Sequence, residues 1–279
     1  MIILFLQNIS DSKSKQEDAL NAKGYFMIDL HCHILYGMDD GPRDFDTSLR
    51  LCYLAMENGI EKIVATSHLT SLIDIDHYVA ARDERIAELR AELERRELNL
   101  QIYPGAEVFA GEDLMYPLPL EKVTINGSRY ILVEFDFYNL RFSTVLRYIE
   151  EILKRGLVPI IAHPERYSFL QIQYDRVNFL MDMGVLFQVN AGSLASRSGR
   201  EEFDLAYEMV LKQAANFIAT DAHSLHNRPN DLLRMMRDFP PNINQNWLER
   251  MVRTSPQAVI DNEVVIPSME SGLLRRGRY

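Results

Sequence analysis

Seven short apolar runs, most of them closed by a small polar cluster, constrain this chain more than any other feature of its sequence. They cover Tyr25–Leu30, Glu61–Thr66, Leu100–Val108, Arg129–Phe135, Val158–Ala162, Leu186–Asn190 and Phe217–Thr220, with lengths and side chains suited to β-strands. Between them lie stretches of helical periodicity at Ser48–Asn58, Arg82–Arg96, Thr144–Arg155, Val177–Met183 and Glu201–Ala214. Gly59, Gly156 and Gly184 follow three of these stretches, where a left-handed cap is expected. Strands alternating with helices predict a parallel α/β sheet with right-handed crossovers. Seven such units without a doubly wound nucleotide fingerprint predict a barrel, whose functional groups gather at the carboxyl ends of the strands. No linker rich in Pro, Gly or Ser interrupts the pattern. One domain is therefore expected over residues 27–265, with a poorly ordered extension over 1–26 and a tail over 266–279.

Composition narrows the function classes. A net charge of −10 opposes general nucleic-acid binding, which needs a basic surface. The only two cysteines, Cys32 and Cys52, form no CxxC pair and no disulfide framework, which fits a reducing, cytoplasmic setting. The apolar start Met1–Leu6 is too short for a signal-peptide core, and no run approaches the roughly 20 residues of a membrane-spanning helix.

The chemistry sits in the polar clusters. Asp29-Leu30-His31-Cys32-His33 closes the first run, and in a strand residues two apart face one side, so both imidazoles converge while Cys32 turns to the core. Asp39-Asp40-Gly41-Pro42 fits a turn, and Asp40 could equally reach back as an oxygen ligand. His68 follows the second run, and Glu107 and Glu134 lie near the ends of the third and fourth. A carboxylate that closes an apolar strand needs a partner, because burying it bare is very costly. His163-Pro164-Glu165-Arg166 follows the fifth run, and Asp221-Ala222-His223 the last. His31, His33, Asp40, His68, Glu107, Glu134, His163, Asp221 and His223 offer nitrogen and oxygen donors without a thiolate. They are too many for one ion and suit two or three ions of Mn²⁺, Fe or Zn²⁺. Such a cluster generates hydroxide from bound water near neutral pH and clamps phosphoryl oxygens. Arg166 and Arg228 would supply guanidinium forks for the phosphate. The reaction class is phosphoester hydrolysis. His77 and His226 have no strand context and read as surface residues.

The ordered set Asp29-x-His31-x-His33, Asp39-Asp40-Gly41-Pro42, Ala65-Thr66-x-His68, Pro104-Gly105-x-Glu107, Glu134-Phe135, Ala162-His163-Pro164-Glu165-Arg166, Ala191-Gly192-Ser193 and Asp221-Ala222-His223 resembles the PHP (polymerase and histidinol phosphatase) superfamily. Within it, the chain is similar to the bacterial manganese-dependent protein tyrosine phosphatases of capsular and exopolysaccharide biosynthesis. The resemblance implies a distorted (β/α)7 barrel with a trinuclear centre. One ion would sit on His31, His33, Glu107 and Asp221, a second on Glu107, Glu134 and His163, and a third on Asp40, His68 and His223. Arg166 and Arg228 match the positions that bind the substrate phosphate. The implied substrate is the phosphotyrosine-bearing tail of a cognate bacterial tyrosine kinase, without nucleic acid or membrane insertion.

The chain departs from the family at Thr66-Ser67-His68-Leu69, where Thr-Pro-His-His is usual, and the following loop, Leu72 to Val79, lacks the usual Asn-Pro. A cysteine-based phosphatase is excluded, since the sixth residue after Cys32 is Met38 and after Cys52 is Asn58, so no Cys-x5-Arg loop exists. Two other functions fit the same residues: a phosphoesterase for a small substrate such as histidinol phosphate, and a metal-stabilised regulator that binds the kinase without turnover.

Overall fold

The computed structural model describes residues 26–265, Arg197 apart, so the expected extension (Phe26 aside) and tail lie outside the described residues. Nine parallel strand segments carry the fold: β1 (Met27–Cys32), β2 (Ile60–Ala65), β3 (His68–Leu69), β4 (Gln101–Pro104), β5 (Glu107–Phe109), β6 (Tyr130–Glu134), β7 (Val158–Ala162), β8 (Leu186–Asn190) and β9 (Phe217–Ala219). They form two sheets, β1-β2-β4 and β3-β5-β6-β7-β8-β9, in place of the one ring that the sequence predicts. The reason is local. Past the end of the second apolar run, across Thr66-Ser67, the chain continues in the other sheet as β3, and the third run breaks at Gly105-Ala106 and does the same as β5. Gly105 is required there, because a Cβ would stand 2.8 Å from Val64 Cγ1.

Backbone bonds cross both gaps between the sheets. Thr66 N–H donates to the Cys32 carbonyl at 3.0 Å, and Glu107 N–H to the Thr66 carbonyl at 3.2 Å. At the far edge, Asp221 N–H donates to His31 O at 2.9 Å and His33 N–H to Ala222 O at 2.8 Å. Asp29, buried beneath them, accepts from the Thr220 N–H at 3.0 Å and from its hydroxyl at 2.5 Å.

Helices α1 (Phe45–Glu57), α2 (Ile75–Arg95), α3 (Phe142–Lys154), α4 (Asp175–Asp182) and α5 (Arg200–Leu211) fill the crossovers. Their faces follow the sequence period: Val145, Tyr148, Ile149 and Ile152 of α3 are all buried. Asp44 caps α1 by accepting from the Thr47 N–H at 2.8 Å. Gly59, Gly156 and Gly184 adopt φ of 74°, 75° and 91°, the left-handed caps expected from the sequence. Two differences stand out. The stretch read as a loop from Leu72 is a single 3-10 turn followed directly by α2, so that helix starts seven residues before the expected Arg82. Helical turns over Gln245–Glu249 and Ser255–Ile260, unforeseen in sequence, bury Trp247, Leu248, Val259 and Ile260.

Two apolar clusters result. The larger lies between strands and helices. The smaller gathers Ile28, Leu30, Val64, Leu132, Ile160, Leu186 and Phe217 from six strands, with Val259, Ile260 and Val265 beneath. Leu30 belongs to the inner cluster and Cys32 to the outer one, so strict alternation fails across β1. A pairing irregularity between Asp29 and Cys32 accounts for the switch, as a bulge re-aims side chains. It sits where the strand passes from apolar filling to the histidines.

Candidate metal centre

The carboxyl ends of the strands bring all nine candidate ligands to one place. His31 is the last residue but one of β1 and His33 follows its end, both fully buried. The Nδ1 of His31 meets Gln188 Oε1 at 2.7 Å and the Nδ1 of His33 meets Asp39 Oδ2 at 2.7 Å. Both Nε2 atoms therefore turn inward, 3.1 Å apart. They stand 3.2 and 3.1 Å from Glu107 Oε2, and 3.4 and 3.5 Å from Asp221 Oδ1. Glu107 extends the set: its Oε2 is 3.1 Å from His68 Nδ1 and its Oε1 is 2.7 Å from His163 Nε2. Glu134 lies 3.0 Å from His68 Nδ1 and 3.9 Å from His163 Nε2. On the outer side, Asp40 approaches His223 Nε2 at 3.2 Å and His68 Nε2 at 3.6 Å.

The donors fall into three groups, within each of which the ligand atoms lie within 4.8 Å of one another: His31, His33, Glu107 and Asp221; His68, Glu107 and Glu134; His33, Asp40, His68 and His223. The first is the quartet expected from the resemblance. The second has His68 where His163 was expected, because Glu107 turns its two oxygens toward different histidines. The third adds His33. His77 and His226 are exposed and stand outside all three groups, as read from sequence.

The donor set fits a cation. Glu107 Oε2, Asp221 Oδ1, His68 Nδ1 and His223 Nε2 are buried and take no hydrogen bond. Buried polar atoms are normally paired, and here four unpaired ones, two of them carboxylate oxygens, belong to the same donor groups. Burial disfavours charge on His33, yet the bond to Asp39 and the nearby Glu107 carboxylate raise its pKa to about 10. Burial likewise opposes ionised Glu107, but the charge of His31 and the bond from His163 hold it well below the usual range. A divalent ion bound by these N and O donors would supply the positive charge that the buried carboxylates call for. His163 and Asp221 adopt φ of 33° and 53°, left-handed conformations that re-aim both side chains at the strand exits.

Beside the donors opens a cavity of about 250 Å³, lined by Arg166, Asn190, Ser193, Thr220, Asp221 and Arg228 among others. Arg228 reaches Asp221 Oδ2 at 2.6 Å and Arg166 the same oxygen at 3.9 Å. Asn190 Nδ2 donates to that oxygen at 2.8 Å. Three supporting residues escaped sequence reasoning: Asp39, taken for a turn residue, Gln188 and Asn190. Gln188 carried a signal, a polar residue in the middle of the apolar run Leu186–Asn190. Both cysteines are buried free thiols, and burial pushes Cys52 up to about 12, consistent with chemistry that uses no thiolate.

Residues 27–261 match the model of the capsular polysaccharide synthesis family CpsB/CapC. The chain belongs to the CpsB/CapC family. Among its relatives, CapC of Staphylococcus aureus is 33% identical over 76% of this chain and 83% of its own length. The tyrosine-protein phosphatase YwqE of Bacillus subtilis is 32% identical, over 72% of this chain and 79% of that protein. A crystal structure from work on YwqE and on CpsB of Streptococcus pneumoniae, described as metal-dependent tyrosine phosphatases, matches with a TM-score of 0.79 at 26% identity. It covers 90% of this CpsB/CapC chain and all of the other. The phosphotriesterase homology protein of Escherichia coli shares the fold alone, at a TM-score of 0.50 and 15% identity.

Proposed function

We propose that this chain is a metal-dependent protein-tyrosine phosphatase. The observation that carries the reading is the meeting of three His/Asp/Glu donor groups with two arginines around Asp221. The relatives named tyrosine-protein phosphatase, and the structural match described as metal-dependent, support it. Residues 27–265 form the catalytic domain. We read the two sheets as a distorted (β/α)7 barrel of the PHP type: β2 with β3 and β4 with β5 count as one strand each, and one inner apolar cluster draws on nearly every strand.

Two or three divalent ions, with Mn²⁺ favoured over Fe or Zn²⁺, would be held by His31, His33, Asp40, His68, Glu107, Glu134, His163, Asp221 and His223. When bound, they activate water and draw off phosphoryl charge. The chain's own groups do the rest. Asp39 and Gln188 fix which nitrogen of His33 and His31 faces the site. Arg166 and Arg228 bind the phosphate and stabilise the charge that grows on it in the transition state. Asn190 and Arg228 hold Asp221 in its left-handed pose. The buried free thiols suit a reducing, cytoplasmic setting. The substrate we assign is a phosphotyrosine-bearing tail of a bacterial tyrosine kinase that controls capsular or exopolysaccharide synthesis.

Parallel assays on a phosphotyrosine peptide and on histidinol phosphate test this assignment. Faster release from the peptide is expected. Preference for histidinol phosphate would move the protein to small-substrate metabolism, and silence on both with metal bound would point to a regulator without turnover.

A further inference from the structure

Arg166 is held in an unusual way for an arginine meant to grip an anion. Its side chain is one-third exposed, and among the described residues its guanidinium makes no hydrogen bond to protein. Its nearest carboxylate oxygen, Asp221 Oδ2, is 3.9 Å away and is already engaged by Arg228 at 2.6 Å. What it touches is a ring: its guanidinium carbon stands 4.2 Å over the centroid of Phe137, in the loop after β6.

Phe137 is itself fixed from several sides. Its ring stacks on Tyr167 at 5.5 Å with 22° between planes, and it meets His163 at 5.5 Å. Its carbonyl accepts the Ser168 N–H at 3.1 Å. Tyr167 is anchored in turn, accepting the Phe135 N–H at 3.2 Å and stacking on Phe169 at 5.2 Å. The ring under Arg166, itself half-buried, therefore rests on the buried aromatic layer that also backs His163.

We infer that Phe137 is a positioning residue that aims Arg166 at the substrate phosphate, an inference that rests on the phosphate-binding role given to Arg166 above. The physical reason lies in how a guanidinium is gripped. A carboxylate partner would use up the in-plane N–H donors that a phosphate needs. An aromatic face attracts the cation through its quadrupole and leaves the whole N–H edge unspent. The side chain is thereby oriented before substrate arrives, which removes part of the ordering cost from the binding step. Arg228, spent on Asp221, has no such support and does not replace it.

The test uses the metal-loaded enzyme and two readouts: calorimetric binding of inorganic phosphate, and KM and kcat on a phosphotyrosine peptide. Phe137→Leu keeps the apolar volume and removes the π face. It should weaken phosphate binding and raise KM about 10-fold, between the exposed and the desolvated limits of a cation–π contact, with bound metal and melting temperature little changed. Phe137→Trp should restore affinity, since it restores a face. In an Arg166→Ala background, Phe137→Leu should cost nothing further. An equal loss in that background, or no rescue by Trp, would overturn the inference. So would loss of phosphate binding on Arg166→Ala with none on Phe137→Leu, which would leave the proposed function standing. Undiminished phosphate binding by Arg166→Ala would instead remove the clamp from the proposed function, and this inference with it.

Discussion

Asp39 Oδ2 accepts a 2.7 Å bond from His33 Nδ1 and a 2.8 Å bond from the His68 backbone N–H, tying together two histidines from different strands. Its other oxygen takes the Gly41 N–H at 2.9 Å, so the carboxylate is held on three sides. Gly41 itself has no room for a Cβ, which would stand 2.7 Å from the His33 carbonyl oxygen. The turn Asp39-Asp40-Gly41-Pro42 thus splits its two acids: Asp39 orients a candidate ligand, His33, and Asp40 joins the outer donor group.

Asp39→Ala should lower metal affinity and phosphate release about 10–100-fold, the usual cost of losing a group that orients a metal-binding histidine. Competition with a chelator of known affinity measures the first effect. Wild-type metal affinity in this variant would return Asp39 to a plain turn role.

His33 faces two donor groups and Asp221 lies in the quartet, so His33→Ala and Asp221→Ala should each lose bound metal together with activity. Metal analysis of the purified variants checks it. Full activity in either after exhaustive chelation would dismantle the cluster assignment.

Arg228→Ala should behave differently from the ligand variants. It should keep its metal and lose about 10–100-fold in kcat/KM, the worth of a charge-assisted bond to an anion. The same substitution also frees Asp221 Oδ2 from its 2.6 Å partner. Metal content decides between the two effects: a drop would show that Arg228 serves the donors more than the phosphate.

Much of the candidate site was legible because strands repeat every two residues and parallel α/β sheets gather polar groups at the carboxyl ends of their strands. His31, His33, Glu107, Glu134, His163 and Asp221 all close apolar runs, and a strand end is easy to recognise. Asp39 was not legible, since Asp before Gly-Pro is equally what a turn requires. The break at Gly105-Ala106 was hidden because a run interrupted by two residues still reads as one strand, and β3 was missed because two residues past the end of the second run are too few to read as a strand. The start of α2 was missed because Leu72 to Val79 was read as the counterpart of a family loop. The way the ligands sort into ions depends on where Glu107 points each oxygen, which no spacing rule encodes.

Glu165 supplies a pH signature separate from the donors. It is buried between Asn190 and Ser193, and burial pushes its carboxyl up from 4.5 to about 7, against the bonds it accepts from the Asn190 N–H and the Ser193 hydroxyl. Between those values the folded chain keeps a proton that the unfolded chain has lost, so stability falls as pH rises through the window. Glu165→Gln keeps an acceptor for both donors and removes the titration. The metal-free variant should be more stable than wild type by about 1–3 kcal/mol at pH 8 and equal to it near pH 4. Thermal melts across that range check the sign, and parallel curves for both proteins would refute it.

The central claim is that these nine side chains bind catalytic metal for phosphotyrosine hydrolysis. The most direct measurement strips the protein with chelator and then titrates Mn²⁺, following bound metal and phosphate release from a phosphotyrosine peptide in the same samples. Activity absent at the start, rising in step with bound Mn²⁺ and saturating at two or three ions per chain, is the predicted result. Undiminished release from the metal-free protein, or metal bound to saturation without release, would contradict it.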